Sequence, residues 1–172
     1  MWHFSLLLSM SCAAITQPAQ FKTPAPEFFN VTEWVNSKPL KLSELRGKVV
    51  VVHFFAFSCI NCIHNYPWYK EVQEKYKDSE VVLIGIHTPE TENEYNIERL
   101  RKKLEEAGLT HPVAVDNDKA NWNRYGNRIW PCVYLIDKKG NGRFRWDGEL
   151  KWQGAKGDVV MHEKIHLLLK EK

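Results

Sequence analysis

Cysteine is scarce in this chain: of the four in 172 residues, only Cys59 and Cys62 lie close together, leaving Cys12 and Cys132 on their own. A zinc ribbon needs a second ligand pair of similar spacing, so the sequence argues against one. An excess of charge of one sign is also lacking, since 24 basic residues face 21 acidic ones for a formal +3. Glu98–Glu106 mixes both signs as a solvated helix face does, and nothing in that balance calls for a nucleic acid. Long apolar runs are absent too. Phe4–Met10, followed by the small residues Ser11, Cys12, Ala13 and Ala14, is too short to span a bilayer and has the form of a secretory leader. Its start departs from that form, with Trp2 and His3 where Lys or Arg is usual. Ser9 stands where lipoprotein signals carry Leu, so lipid attachment at Cys12, and with it a membrane anchor, is the lesser alternative. The length and the 44% hydrophobic content suit one globular domain. The expected division is a leader over residues 1–20 and a domain over 21–172, exported to an extracytoplasmic or periplasmic compartment.

What is present is a pair of thiols two residues apart, Cys59-Ile60-Asn61-Cys62, directly after the apolar run Val49–Phe55. A strand that turns into a helix at Cys59 puts that sulfur beside unpaired backbone N–H groups and the positive end of the helix dipole, which favour the thiolate. Cys59 is then the attacking thiol. Cys62, about one turn on, is close enough to close a disulfide and points back under the first turn, as a resolving thiol must. A buried structural pair or half a zinc site is the competing reading.

Around this pair the apolar pattern alternates between strand and helix. Gln17–Pro26 holds three prolines and reads as an extended linker, and Phe28–Leu45 as a hairpin and a helical turn covering one sheet edge. Strands are expected at Val49–Phe55, Val81–Ile86, Val113–Val115, Val133–Asp137 and Arg143–Trp146, the last two joined by a turn at Lys138–Gly142. Helices are expected at Ile60–Tyr76, interrupted by Pro67, at Glu94–Ala107, stopped by Gly108, at Trp122–Tyr125 as a short turn, and at Asp158–Leu169. The result is an α/β fold, a mixed central sheet with helices on both faces.

The order of these motifs resembles the thioredoxin superfamily, and within it the exported TlpA-like proteins and DipZ-type domains. The residues that carry the likeness are Phe57-Ser58-Cys59-Ile60-Asn61-Cys62, Gly85–Glu90, Asp116-Asn117-Asp118, Tyr125–Pro131 and Tyr134–Asp137, spread over Pro26–Leu169. The resemblance implies a thioredoxin fold with an N-terminal hairpin, and an insertion ahead of a cis-proline loop at Pro131. It also implies thiol-disulfide exchange with protein disulfides or dithiols, a separate redox partner that recharges the pair, and no cofactor or metal. Trp130, Pro131, Phe57 and Ser58 would contact substrate.

Three positions depart from that pattern. His53 occupies the place of an acidic or amide residue, and is either a proton acceptor beneath Cys62 or a strand histidine bonded to a neighbour. Asn65 replaces a glutamate of some relatives. Cys132 follows the proline, where it either packs as a small side chain or serves as an accessory thiol beside Cys59 that pairs with it or shares a soft metal.

Other signals carry less. His162-Glu163-Lys164-Ile165-His166 matches a zinc-peptidase pattern, but no third ligand follows and the helix is amphipathic through Met161, Ile165, Leu168 and Leu169. The sequon at Asn30 is a common triplet, and Trp122, Trp146 and Trp152 read as core or edge caps. Two rival functions stay open: a redoxin-like peroxidase, against which the adjacent Cys62 argues, and a non-catalytic thioredoxin-fold binding module, against which the intact pair argues.

Overall fold

The computed structural model describes residues 17–171. The strand Val49–Phe55 (β3) is buried along its whole length, and its mix of Val and Phe on both faces is what a central strand requires. Each such side chain contributes roughly 1.5–3 kcal/mol when fully removed from water. It pairs in parallel with Val81–His87 (β4), which pairs in parallel with Val113–Val115 (β5). On its other side β3 is antiparallel to Cys132–Ile136 (β6), and β6 to Asn141–Asp147 (β7).

The two edges are where sequence and structure part. Ala19–Pro24 forms a strand, β1, antiparallel to β7, while Glu33–Val35, β2, is antiparallel to β5. The sheet order is β1-β7-β6-β3-β4-β5-β2, so the N-terminal segment does not fold as a hairpin on one edge but supplies both edges. β1 therefore lies within the stretch expected as a linker, and the expected boundary at residue 20 falls inside it. Proline disguised it: an edge strand needs its ladder on one side only, and Pro24 stands at its end.

Helix Ile60–Lys75 (α1) contains Pro67 within its span; Ile97–Ala107 (α2), Ala120–Arg124 (α3) and Gly157–Lys170 (α4) follow. Asn96 caps α2 by accepting the Arg99 N–H at 2.9 Å, and Gly108, at φ 66°, ends it in the left-handed region that suits glycine. Side chains of α1, α2 and α4 share one core with Val49, Val51, Phe55, Val133 and Leu135. On the opposite face Val50, Val52, Phe54, Tyr134 and Ile136 pack with Trp122 and Tyr125 from α3 and its end, and with Leu42. This is the alternation that a two-sided sheet imposes.

Candidate active site

Cys59 caps the N-terminus of α1 in extended conformation, φ −71° and ψ 116°, and its carbonyl accepts the N–H groups of Cys62 at 3.0 Å and Ile63 at 3.1 Å. It is half-buried, whereas Cys62 is fully buried; both are free thiols. A hydrogen bond from the Cys62 thiol, joined by the backbone N–H groups of Cys62 and Asn61, lowers Cys59 to about 7 against the opposing effects of burial and of the Glu90 charge. Burial first, then the bond to Cys59 and its charge, push Cys62 far above the ordinary thiol range. The two sulfurs are thus chemically unlike: one is partly exposed and easily ionised, the other shielded and protonated.

The peptide between Trp130 and Pro131 is cis. Trp130 is half-buried, stacks on Trp122 with ring centroids 3.9 Å apart, and donates its indole N–H to the Thr88 carbonyl at 3.1 Å. The Pro131 carbonyl accepts the Gly148 N–H at 2.7 Å. Beside the cysteine pair, Asn61, Ile129, Trp130, Trp146, Asp147, Gly148, Glu149, Trp152 and Ala155 line a groove of about 340 Å³. Ile60 and Ile63 on α1, and Ile129 and Trp152 on the groove that Asn61 also lines, remain exposed and make an apolar rim.

Phe57 and Ser58 both have partners within the fold. Phe57 is buried, its ring stacked at 12° and 5.4 Å on His87. Ser58 donates its N–H at 2.9 Å and its hydroxyl at 2.5 Å to Glu94 Oε1. Glu94 Oε2 accepts from the N–H groups of Glu90 at 2.7 Å and Thr91 at 2.9 Å. Burial pushes the Glu94 carboxyl up, but these donors outweigh it and hold the group below its ordinary value. Neither Glu94 nor His87 was singled out from the sequence; the signal for Glu94 was the capping box Thr91-Glu92-Asn93-Glu94. His87 is fully buried with neither ring nitrogen hydrogen-bonded, and burial lowers it to about 4 although the Glu94 charge pulls the other way.

His53 lies on the α1 face of β3, but its polar partner is not Cys62. Its Nε2 is 2.7 Å from His111 Nε2, its ring stacks on Tyr69 with centroids 3.8 Å apart, and Nδ1 has no partner. Gly85 on the neighbouring strand makes room, since a Cβ there meets His53 Nε2 at 3.0 Å. Of the two expectations for His53, the hydrogen bonding is that of a strand histidine bonded to a neighbour, an imidazole pair that points toward β5.

Cys132 is likewise redirected. Alternation along β6 turns it to the sheet face opposite Cys62, where its thiol donates to the Ile129 carbonyl and Asp147 Oδ1, both at 3.1 Å. Burial, then the Asp147 carboxylate, push it up to about 12, which suits a packed thiol and not an accessory partner of Cys59. Asn65 is buried, donates to the Gly148 carbonyl at 3.3 Å and accepts the Leu150 N–H at 2.9 Å, tying α1 to the segment after β7 as an amide can and a carboxylate cannot. His162 and His166 of the peptidase-like motif both face the Tyr76 hydroxyl, at 3.1 and 3.4 Å, and serve the α1–α4 contact.

A seven-stranded mixed sheet with a cis-proline beside a Cys-X-X-Cys helix start defines a protein of the thioredoxin fold. Residues 21–144 match the model of the AhpC/TSA family, and the chain belongs to that family. It is 42% identical over 128 residues to protein DipZ of Mycobacterium tuberculosis, covering 73% of this chain and only 18% of DipZ. It is 27% identical over 152 residues to the thiol-disulfide oxidoreductase YkuV of Bacillus subtilis, covering 88% of this chain and 98% of YkuV. Among solved structures, a thiol-disulfide isomerase from Corynebacterium glutamicum superposes with a TM-score of 0.74 at 31% identity, over 86% of this chain and 98% of that one.

Proposed function

We propose that the chain is a thiol-disulfide oxidoreductase domain acting on protein disulfides. The observation that carries this reading is the inequality of the two thiols: Cys59 half-exposed and lowered to about 7, Cys62 buried and pushed up. The Cys59 thiolate attacks one sulfur of a substrate disulfide, forming a mixed disulfide and releasing the other sulfur as thiolate, which takes a proton. Cys62 then loses its proton and attacks Cys59 Sγ, giving the Cys59–Cys62 disulfide and the second reduced substrate sulfur. Two electrons pass from the enzyme to the substrate, and the same residues serve the reverse reaction.

Substrate docks along Trp130 and Pro131, and the apolar rim of Ile60, Ile63, Ile129 and Trp152 favours extended or partly unfolded polypeptide. His53 acts at a distance, through Tyr69 and the packing behind Cys62. A further redox protein recharges the pair, with reduction of substrate as the working direction. The names of YkuV and of the Corynebacterium isomerase support the same chemistry.

The domain is exported to a periplasmic or other extracytoplasmic compartment, behind a leader that ends before β1 and not at residue 20. Most of that leader, and Cys12 with it, lies outside the described residues. Reduction of insulin disulfides at the expense of dithiothreitol tests the activity. The wild type accelerates it and Cys59→Ser does not; equal rates with the two proteins, or no acceleration at all, would leave a binding module.

A further inference from the structure

We propose that Glu94 is a positioning residue for the attacking thiol: its carboxylate ties Ser58, the residue immediately before Cys59, to the Glu90-Thr91 turn and so fixes Cys59 at the start of α1. The inference rests on the reading of Cys59 as nucleophile.

Ser58 is exposed, so packing does not hold it. What holds it are two hydrogen bonds to one oxygen of Glu94, at 2.9 and 2.5 Å, while the other oxygen accepts from Glu90 and Thr91 at 2.7 and 2.9 Å. The four donors and the carboxylate join two segments, the one entering α1 and the one that follows β4. Glu94 is 2% exposed, and a charge so far from water persists only because each oxygen is doubly satisfied. The neighbouring Phe57 is fixed by its stack on His87 at the end of β4, so the turn into Cys59 is held at two consecutive residues. A fixed Ser58 sets the extended backbone of Cys59 at φ −71° and ψ 116°, which keeps it in the N-cap position at the positive end of α1, where the thiolate is favoured.

Electrostatics alone argues for the opposite effect. A carboxylate near a thiol disfavours the thiolate, so deleting a mere neighbouring charge makes Cys59 ionise more easily. Deleting a clamp makes it ionise less easily, because the sulfur loses its fixed place at the positive end of α1. The sign of the change therefore separates the two roles.

The test is the pH dependence of iodoacetamide alkylation at Cys59, mapped by mass spectrometry on reduced wild type, Glu94→Ala, Glu94→Gln and Ser58→Ala, each checked for a cooperative thermal transition. Glu94→Ala is expected to move the midpoint up by about one unit, which slows alkylation about tenfold near pH 6. Glu94→Gln keeps one acceptor oxygen and Ser58→Ala keeps the backbone N–H bond, so both move it less but in the same direction. If Glu94→Ala does not fold, those two variants decide. A midpoint that falls or stays in place in the folded variants overturns the clamp. A wild-type midpoint in the ordinary thiol range instead refutes Cys59 as activated nucleophile, whatever the variants do.

Discussion

His53 and His111 share a buried hydrogen bond of 2.7 Å between their Nε2 atoms, and the far side of His111 is closed by Gln73 Oε1 at 2.6 Å from Nδ1. If His111 Nδ1–H donates to Gln73, then His111 Nε2 accepts and His53 Nε2–H donates, which fixes both rings in neutral tautomers. Burial lowers His111 to about 3, and burial with the His111 charge lowers His53 well below its ordinary value.

The pH consequence follows from linkage. Both groups, and His87 at about 4, have folded values below the unfolded one of 6.5, so below about pH 6.5 the unfolded chain binds more protons and stability falls as pH falls. The loss runs from the unfolded value down to each folded value, at up to about 1.4 kcal/mol per pH unit for each group. Urea midpoints measured between about pH 7.5 and 4.5 are expected to decline steadily, and His111→Gln to show a shallower decline despite lower stability at neutral pH. Parallel slopes for the two proteins would exclude the imidazole pair as a source of acid sensitivity.

Asn65→Ala is expected to destabilise the protein by about 1–3 kcal/mol, because it leaves the buried Leu150 N–H without its acceptor. Cys59 alkylation should be unchanged at every pH, since Asn65 bonds Gly148 and Leu150 and neither cysteine. A shifted Cys59 profile would mean that the amide tunes the redox pair as well as the fold.

Cys132 is expected to resist alkylation in the folded protein near neutral pH, and mild oxidation to yield only the Cys59–Cys62 linkage. Its thiol faces Asp147 on the other side of the sheet and is pushed up to about 12. Peptide mapping after limited oxidation checks both; a Cys59–Cys132 peptide would contradict the placement.

What the sequence made legible was local. Val49–Phe55 and Cys59–Cys62 declare themselves because a buried strand is a continuous apolar run and the thiol spacing is read directly. Contacts between distant residues were not legible. Ser58 and Glu94 are 36 residues apart, His53 and His111 are 58 apart, and nothing in the periodicity of either partner names the other. The ties of Phe57 and Ser58 to His87 and Glu94 were therefore invisible, and for His53 a neighbour could be expected but not named. For Cys132 the sequence left packing and an accessory role both open: adjacency to Pro131 sets its distance along the chain, but strand alternation sets the face, and that face lies away from Cys62. β1 was hidden by Pro24 and the prolines that flank it, and by a partner strand that begins more than a hundred residues later.

The central claim is that Cys59 attacks and Cys62 resolves. It is tested most directly by incubating reduced Cys62→Ser with insulin, quenching in acid and mapping the mixed disulfides by mass spectrometry. The account predicts a stable adduct joined through Cys59 that the wild type does not accumulate and Cys59→Ser does not form. An adduct joined through Cys132, or one formed by Cys59→Ser through Cys62, would contradict it.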